Sequence, residues 1–162
     1  MGPTGITIAI GNSLVLAGVS LAAVWDLTKR IIPNTLVLVV AGGGLLLRFT
    51  ALEHYAIVTS IAAAMAVFIV LRLLMNVITI GGGDVKLIAA VILGQSPATT
   101  PSILLNIALA GGIVMVLWSM RAWMKAGDGS HGSGALTLHA EMPYAPAILG
   151  GLVLHELRGI VT

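Results

Sequence analysis

Residues 55–87 read YAIVTSIAAAMAVFIVLRLLMNVITIGGGDVKL. Tyr55 to Leu74 is almost entirely apolar, and its one charge, Arg72, stands near the end. At about 1.5 Å per residue a helix of this length matches the ~30 Å hydrocarbon core of a bilayer. Arg72 is placed to snorkel toward headgroups. Three glycines then precede a carboxylate and an ammonium, Asp84 and Lys86. A charge costs roughly 2.5–3.5 kcal/mol at the centre of a membrane helix, so these two need a reason to be there.

Outward from this stretch the chain repeats the pattern. Ile6 to Trp25 is an uncharged run, followed by a polar segment from Asp26 to Asn34. No Lys or Arg precedes the run, so the basic region of a signal peptide is missing and the segment is expected to be a retained span. Thr35 to Leu47 is a second, shorter run that contains Gly42-Gly43-Gly44; such glycines either loosen a helix or admit a close neighbour. Val85 to Leu93 is short and ends at Gly94-Gln95-Ser96-Pro97. Ser102 to Trp118 and Pro143 to Leu157 complete the set. The expected fold is all-α, a polytopic membrane protein of about six transmembrane helices in one domain over residues 1–162. A flexible loop is expected at about 121–141, where glycine, serine and aspartate cluster.

Composition agrees. Of 162 residues 58% are hydrophobic and 9% charged, against about 25% charged in an ordinary soluble domain. The mean hydropathy is +1.08. A net charge of +2 with scattered basic residues offers no nucleic-acid footprint. With no cysteine there is no disulfide, thiolate metal site or cysteine nucleophile.

Charge bias orients the helices. With the N-terminus outside, Lys29, Arg30, Arg72, Lys86, Arg121 and Lys125 fall on the cytoplasmic side, and only Arg48 and Arg158 fall outside. The same count puts Asp26 and Asp84 on one cytoplasmic face. Two carboxylates brought close cannot both ionise cheaply, so the pair would hold one proton. Such a dyad can hydrolyse a peptide with water alone: the ionised member takes a proton from water and the protonated member polarises the carbonyl. The glycines beside Asp84 would permit unusual backbone angles and close approach of an extended substrate. Non-helical backbone at this depth implies a wet pocket. The residues alone also allow a plainer reading, in which Asp84 is a helix N-cap and Asp26 a solvated turn residue.

Other constellations offer less. His54, His131, His139 and His155 are dispersed, and His155-Glu156 lacks a second ligand because position 159 is Gly, so no metal site is expected. Ser130 lacks the flanking glycine of a nucleophile elbow.

Three segments resemble a known family. Asp26-Leu27-Thr28-Lys29-Arg30-Ile31-Ile32-Pro33-Asn34 resembles the Asp-x5-Ile-Pro-Asn segment of type IV prepilin peptidases. Gly81-Gly82-Gly83-Asp84-Val85-Lys86 resembles their Gly-x-Gly-Asp-x-Lys motif. Met142-Pro143-Tyr144-Ala145-Pro146-Ala147 is similar to their Pro-Tyr/Phe-Gly-Pro-Ala element, with Ala145 in the glycine place. The resemblance implies an intramembrane aspartic protease with Asp26 and Asp84 catalytic, Gly81, Gly83 and Lys86 shaping the site, and no cofactor. It implies a pilin-like precursor as partner, cut after a glycine at the cytoplasmic face of the inner membrane. It favours the dyad over the plainer reading. Longer members carry a cysteine-rich zinc-binding extension associated with N-methylation; this chain has none, so cleavage without methylation is expected, as in the short peptidases of tight-adherence (Flp-type) pilus systems. From another class, a small ion- or proton-coupled transporter or relay subunit could use the same aspartates.

Overall fold

The computed structural model describes residues 3–50, 54–75, 80–126 and 144–161, which form six α-helices and no strand. They are α1 (Pro3–Lys29), α2 (Asn34–Thr50), α3 (His54–Leu74), α4 (Gly82–Leu93), α5 (Thr100–Ala126) and α6 (Ala145–Val161), with one 3-10 turn, Pro97–Thr99, leading into α5. Three stretches are long and apolar enough to cross a membrane: Thr4–Lys29, Tyr55–Leu74 and Pro97–Arg121. Asn34–Thr50 and Ala145–Leu157 are shorter apolar helices. The protein is an all-α polytopic membrane protein. Its α4 has 12 residues, which makes it only about 18 Å long.

Several boundaries differ from the sequence expectation. Helix α1 does not stop at Trp25 but continues to Lys29, which brings Asp26 into its last turns instead of a polar link. Two local contacts carry it on: the Thr28 hydroxyl donates to the Val24 carbonyl at 3.0 Å, and the Lys29 ammonium lies 4.2 Å from the centre of the Trp25 ring. The helix ends at Arg30, whose φ of 54° is left-handed and whose N–H donates to the Asp26 carbonyl at 2.9 Å. A left-handed residue is a common helix stop, although for a side chain such as arginine it costs roughly 1–2 kcal/mol. Helix α5 also runs further than expected. Arg121 to Ala126, assigned to the flexible loop by sequence, are helical, while 127–143, with His131, His139 and Ser130, lie outside the described residues.

One buried cluster joins all six helices. Val19 of α1, Val40 of α2, Ala64 of α3, Leu87 and Val91 of α4, Ile103 of α5 and Ile148 and Leu152 of α6 belong to it. Helix α4 is the enclosed element, with Asp84, Val85, Leu87, Ile88, Ala90, Val91 and Ile92 buried. Close approach of α2 to its end depends on glycine. A Cβ on Gly44 would lie 2.8 Å from the Gly94 backbone nitrogen, whereas one on Gly42 would meet nothing within 4 Å. Gly43 and Gly44 therefore admit close neighbours, and Gly42 does not. Gly44→Ala is expected to destabilise by about 1–3 kcal/mol through overpacking, seen as a lower thermal midpoint in detergent. Gly42→Ala should hold or raise that midpoint, because alanine is the better helix former.

Candidate active site

The site is assembled from three places in the chain. Gly81 is the N-cap of α4 in ordinary extended conformation (φ −67°, ψ 140°). The Val85 N–H donates to its carbonyl at 3.2 Å, opening the helix. Asp84 is then the third helical residue, not the cap. From there its carboxylate reaches back to a backbone hydrogen bond from Gly81, as the acid of a capping box does. That contact uses part of the carboxylate only. Asp84 is 8% exposed, and its Oδ1 is buried without a hydrogen-bond partner. An orphaned buried carboxylate oxygen is costly, so plain capping does not account for this residue.

Asp26 approaches from α1. It is 7% exposed, and its Oδ2 accepts a hydrogen bond from the Ala145 N–H at 3.0 Å. Helix α6 needs this bond. Its first N–H has no partner within the helix, and Pro146, next along, has no N–H to offer. The Tyr144 carbonyl accepts from Ala147 at 2.9 Å and from Ile148 at 3.3 Å, so Tyr144 shapes the start of α6. The same residue also lines the site: its phenol is half-buried and feels the charge of Asp84. Burial first, and that charge second, push the phenol up from its usual value. The ring tip rests on Gly111, where a Cβ would lie 2.8 Å from Oη.

The two aspartates interact. Asp84 stands outside the three long spans, and its carboxyl is pushed up to about 7. Burial is the larger cause and the charge of Asp26 the second, with the Gly81 hydrogen bond opposing both. Near neutral pH one carboxyl is thus available as an acid beside another held as an acceptor, which is the arrangement general acid–base hydrolysis requires.

The glycines act by size, not by unusual backbone angles. A Cβ on Gly81 would lie 2.6 Å from Asp84 Oδ2, and one on Gly83 would lie 3.1 Å from Ile32 Cβ. On Gly82 it would meet only Met75 Cε, at 3.8 Å. The need for glycine therefore falls on the first and third positions. Lys86 is exposed, and its Nζ donates to Asn34 Oδ1 at 3.1 Å. Sequence reasoning did not foresee that pairing, nor the Ala145 bond to Asp26 or the seating of Ile32 on Gly83. All three join residues far apart in the chain, and the only advance signal was that each lies in or beside a motif.

Among the described residues no group of three or more His, Cys, Asp or Glu is placed to hold a metal ion. A family model described as the type IV leader peptidase family matches residues 13–116. No curated protein and no solved structure matches the chain.

Proposed function

Since the chain belongs to the type IV leader peptidase family, we propose that it is a membrane aspartic endopeptidase acting through Asp26 and Asp84. Its substrates are type IV pilin-like precursors, of the Flp type, cut at the cytoplasmic face of the inner membrane. The observation that carries this reading is that two buried carboxylates feel each other's charge, one held by the Ala145 N–H and one raised to about 7 with a free buried oxygen.

The roles follow from these environments. Asp26, engaged as an acceptor, takes a proton from water as the oxygen attacks the scissile carbonyl carbon. Asp84 gives its proton to the carbonyl oxygen. The tetrahedral intermediate then collapses: Asp26 passes its proton to the leaving nitrogen, the C–N bond breaks, and Asp84 recovers a proton from the former carbonyl oxygen. Water is the only co-reactant. Gly81 and Gly83 keep the first turn of α4 close to Asp84 and Ile32, within a single membrane-embedded domain. The six basic residues assigned to the cytoplasmic side support the orientation. Methylation of the new N-terminus is not part of the activity proposed for these residues.

The test is reconstitution of the chain in vesicles with an Flp-type pilin precursor. The wild-type chain is expected to release the leader after its glycine, read by mass spectrometry of the new N-terminus, and Asp26→Asn should release none. Equal processing by the variant would overturn the dyad. Ion or proton flux lost in the variant, with no precursor cut by either protein, would favour a transporter instead.

A further inference from the structure

Lys86 follows Asp84 by two residues, or about 200° around a helix. The two side chains accordingly leave α4 in different directions, one exposed and one buried. The charges that shift Asp84 do not include Lys86. Among the described residues, its ammonium donates a hydrogen bond to Asn34, the first residue of α2. A lysine beside a helix N-terminus faces an unfavourable dipole, which the Asn34 side-chain oxygen offsets in part.

The link between α1 and α2 thus meets the first turn of α4 twice. Ile32 sits on Gly83, where a Cβ would come within 3.1 Å, and two residues on Asn34 takes the lysine at 3.1 Å. At the near end of this link stands Asp26, and inside the clamped turn stands Asp84. The link itself begins with the left-handed Arg30, a conformation that needs holding.

We propose that Lys86 and Asn34 form a latch that sets the spacing of the two aspartates, so that Lys86 is a positioning residue acting through Asn34. It neither tunes the proton of the dyad nor binds substrate. A single exposed hydrogen bond contributes little to global stability, but a displacement of about 1 Å between reacting groups can cost up to ~10²-fold in rate.

The kinetic arm of the test rests on the peptidase reading and uses the full chain in vesicles with an Flp-type precursor. Lys86→Met and Asn34→Ala are each expected to lower kcat about tenfold with KM unchanged. The double variant should be no worse than the worse single one, and Lys86→Arg, which keeps a donor, should recover most of the loss. The pH–rate profile should keep its midpoints. Additive losses, a raised KM or a shifted profile would overturn the proposal, because those are the signs of substrate contact or charge tuning. The second arm does not need activity. The chain has no cysteine, so spin labels at Ile31→Cys and Gly82→Cys, both exposed positions, report the spacing of link and turn. Lys86→Met should broaden that distance distribution; an unchanged distribution would overturn the latch even if no precursor is ever cut. A chain that cuts nothing but shows the broadening would sink the peptidase reading and leave the latch standing.

Discussion

Asp84→Asn is expected to abolish leader cleavage and to stabilise the protein at neutral and alkaline pH. The activity loss should be on the order of 10⁴-fold, the upper range for a positioned acid–base group, because an amide cannot give a proton to the scissile carbonyl. The stability gain has a separate origin. In the folded protein the Asp84 carboxyl sits at about 7 against an ordinary 3.8. A carboxyl raised on folding favours the folded state while protonated, and that contribution is lost as pH climbs through the folded value. Wild-type stability should therefore decline between about pH 4 and pH 7 from this group, by up to roughly 4 kcal/mol at 1.36 kcal/mol per unit. Asparagine carries no such charge, yet its side-chain oxygen can still accept the Gly81 hydrogen bond. Thermal midpoints in detergent should nearly coincide near pH 4 and diverge in favour of the variant near pH 8. A variant that is inactive but no more stable at the higher pH would show that Asp84 is not held in the strained, buried state described.

Gly81→Ala should have the second-largest effect, and of the opposite kind. The backbone angles at Gly81 suit any residue, so alanine meets no conformational objection. The new methyl would, however, lie 2.6 Å from Asp84 Oδ2. An aspartate side chain is short, so the carboxylate can yield only by rotating away from Gly81, out of its present position. Folding should survive with a loss of about 1 kcal/mol or less, while cleavage falls by roughly 10²-fold, as for a misplaced reacting group. Gly82→Ala, one residue on, should cut at close to the wild-type rate. If the two substitutions behave alike in a precursor-processing assay, the spatial account of the glycines is wrong.

Much of this was legible in the sequence, and the reasons are specific. The apolar runs at Ile6, Tyr55 and Ser102 announced helices because a bilayer leaves few other ways to satisfy backbone polar groups. Counting basic residues assigned Asp26 and Asp84 to one side as an expectation, and in the structure Asp84 feels the charge of Asp26. Asp26 itself was assigned to a link, since a carboxylate after an apolar run looks like a boundary. Thr28 and Lys29 extend the helix through contacts to Val24 and Trp25 that no hydropathy window registers. The two roles of Tyr144 were only half visible. Its place before Ala145-Pro146 indicates a helix start, but the seat for its ring is Gly111 on another helix. The partner of Lys86 lies 52 residues upstream, and periodicity carries no information about such a pair.

The bond from the Ala145 N–H to Asp26 Oδ2 makes the two aspartates unequal as genetic handles. Asp84 can be neutralised with its neighbours relieved, so an inactive protein altered there speaks about chemistry alone. Alanine at Asp26 would remove the proposed base and unfasten the first turn of α6 in one stroke, and loss of function would confuse the two. Asparagine, which can still accept the bond, separates them. Selection faces the same tie: this carboxylate cannot drift toward a hydrophobic residue without freeing α6, so even a lineage that had given up proteolysis would keep a polar acceptor here.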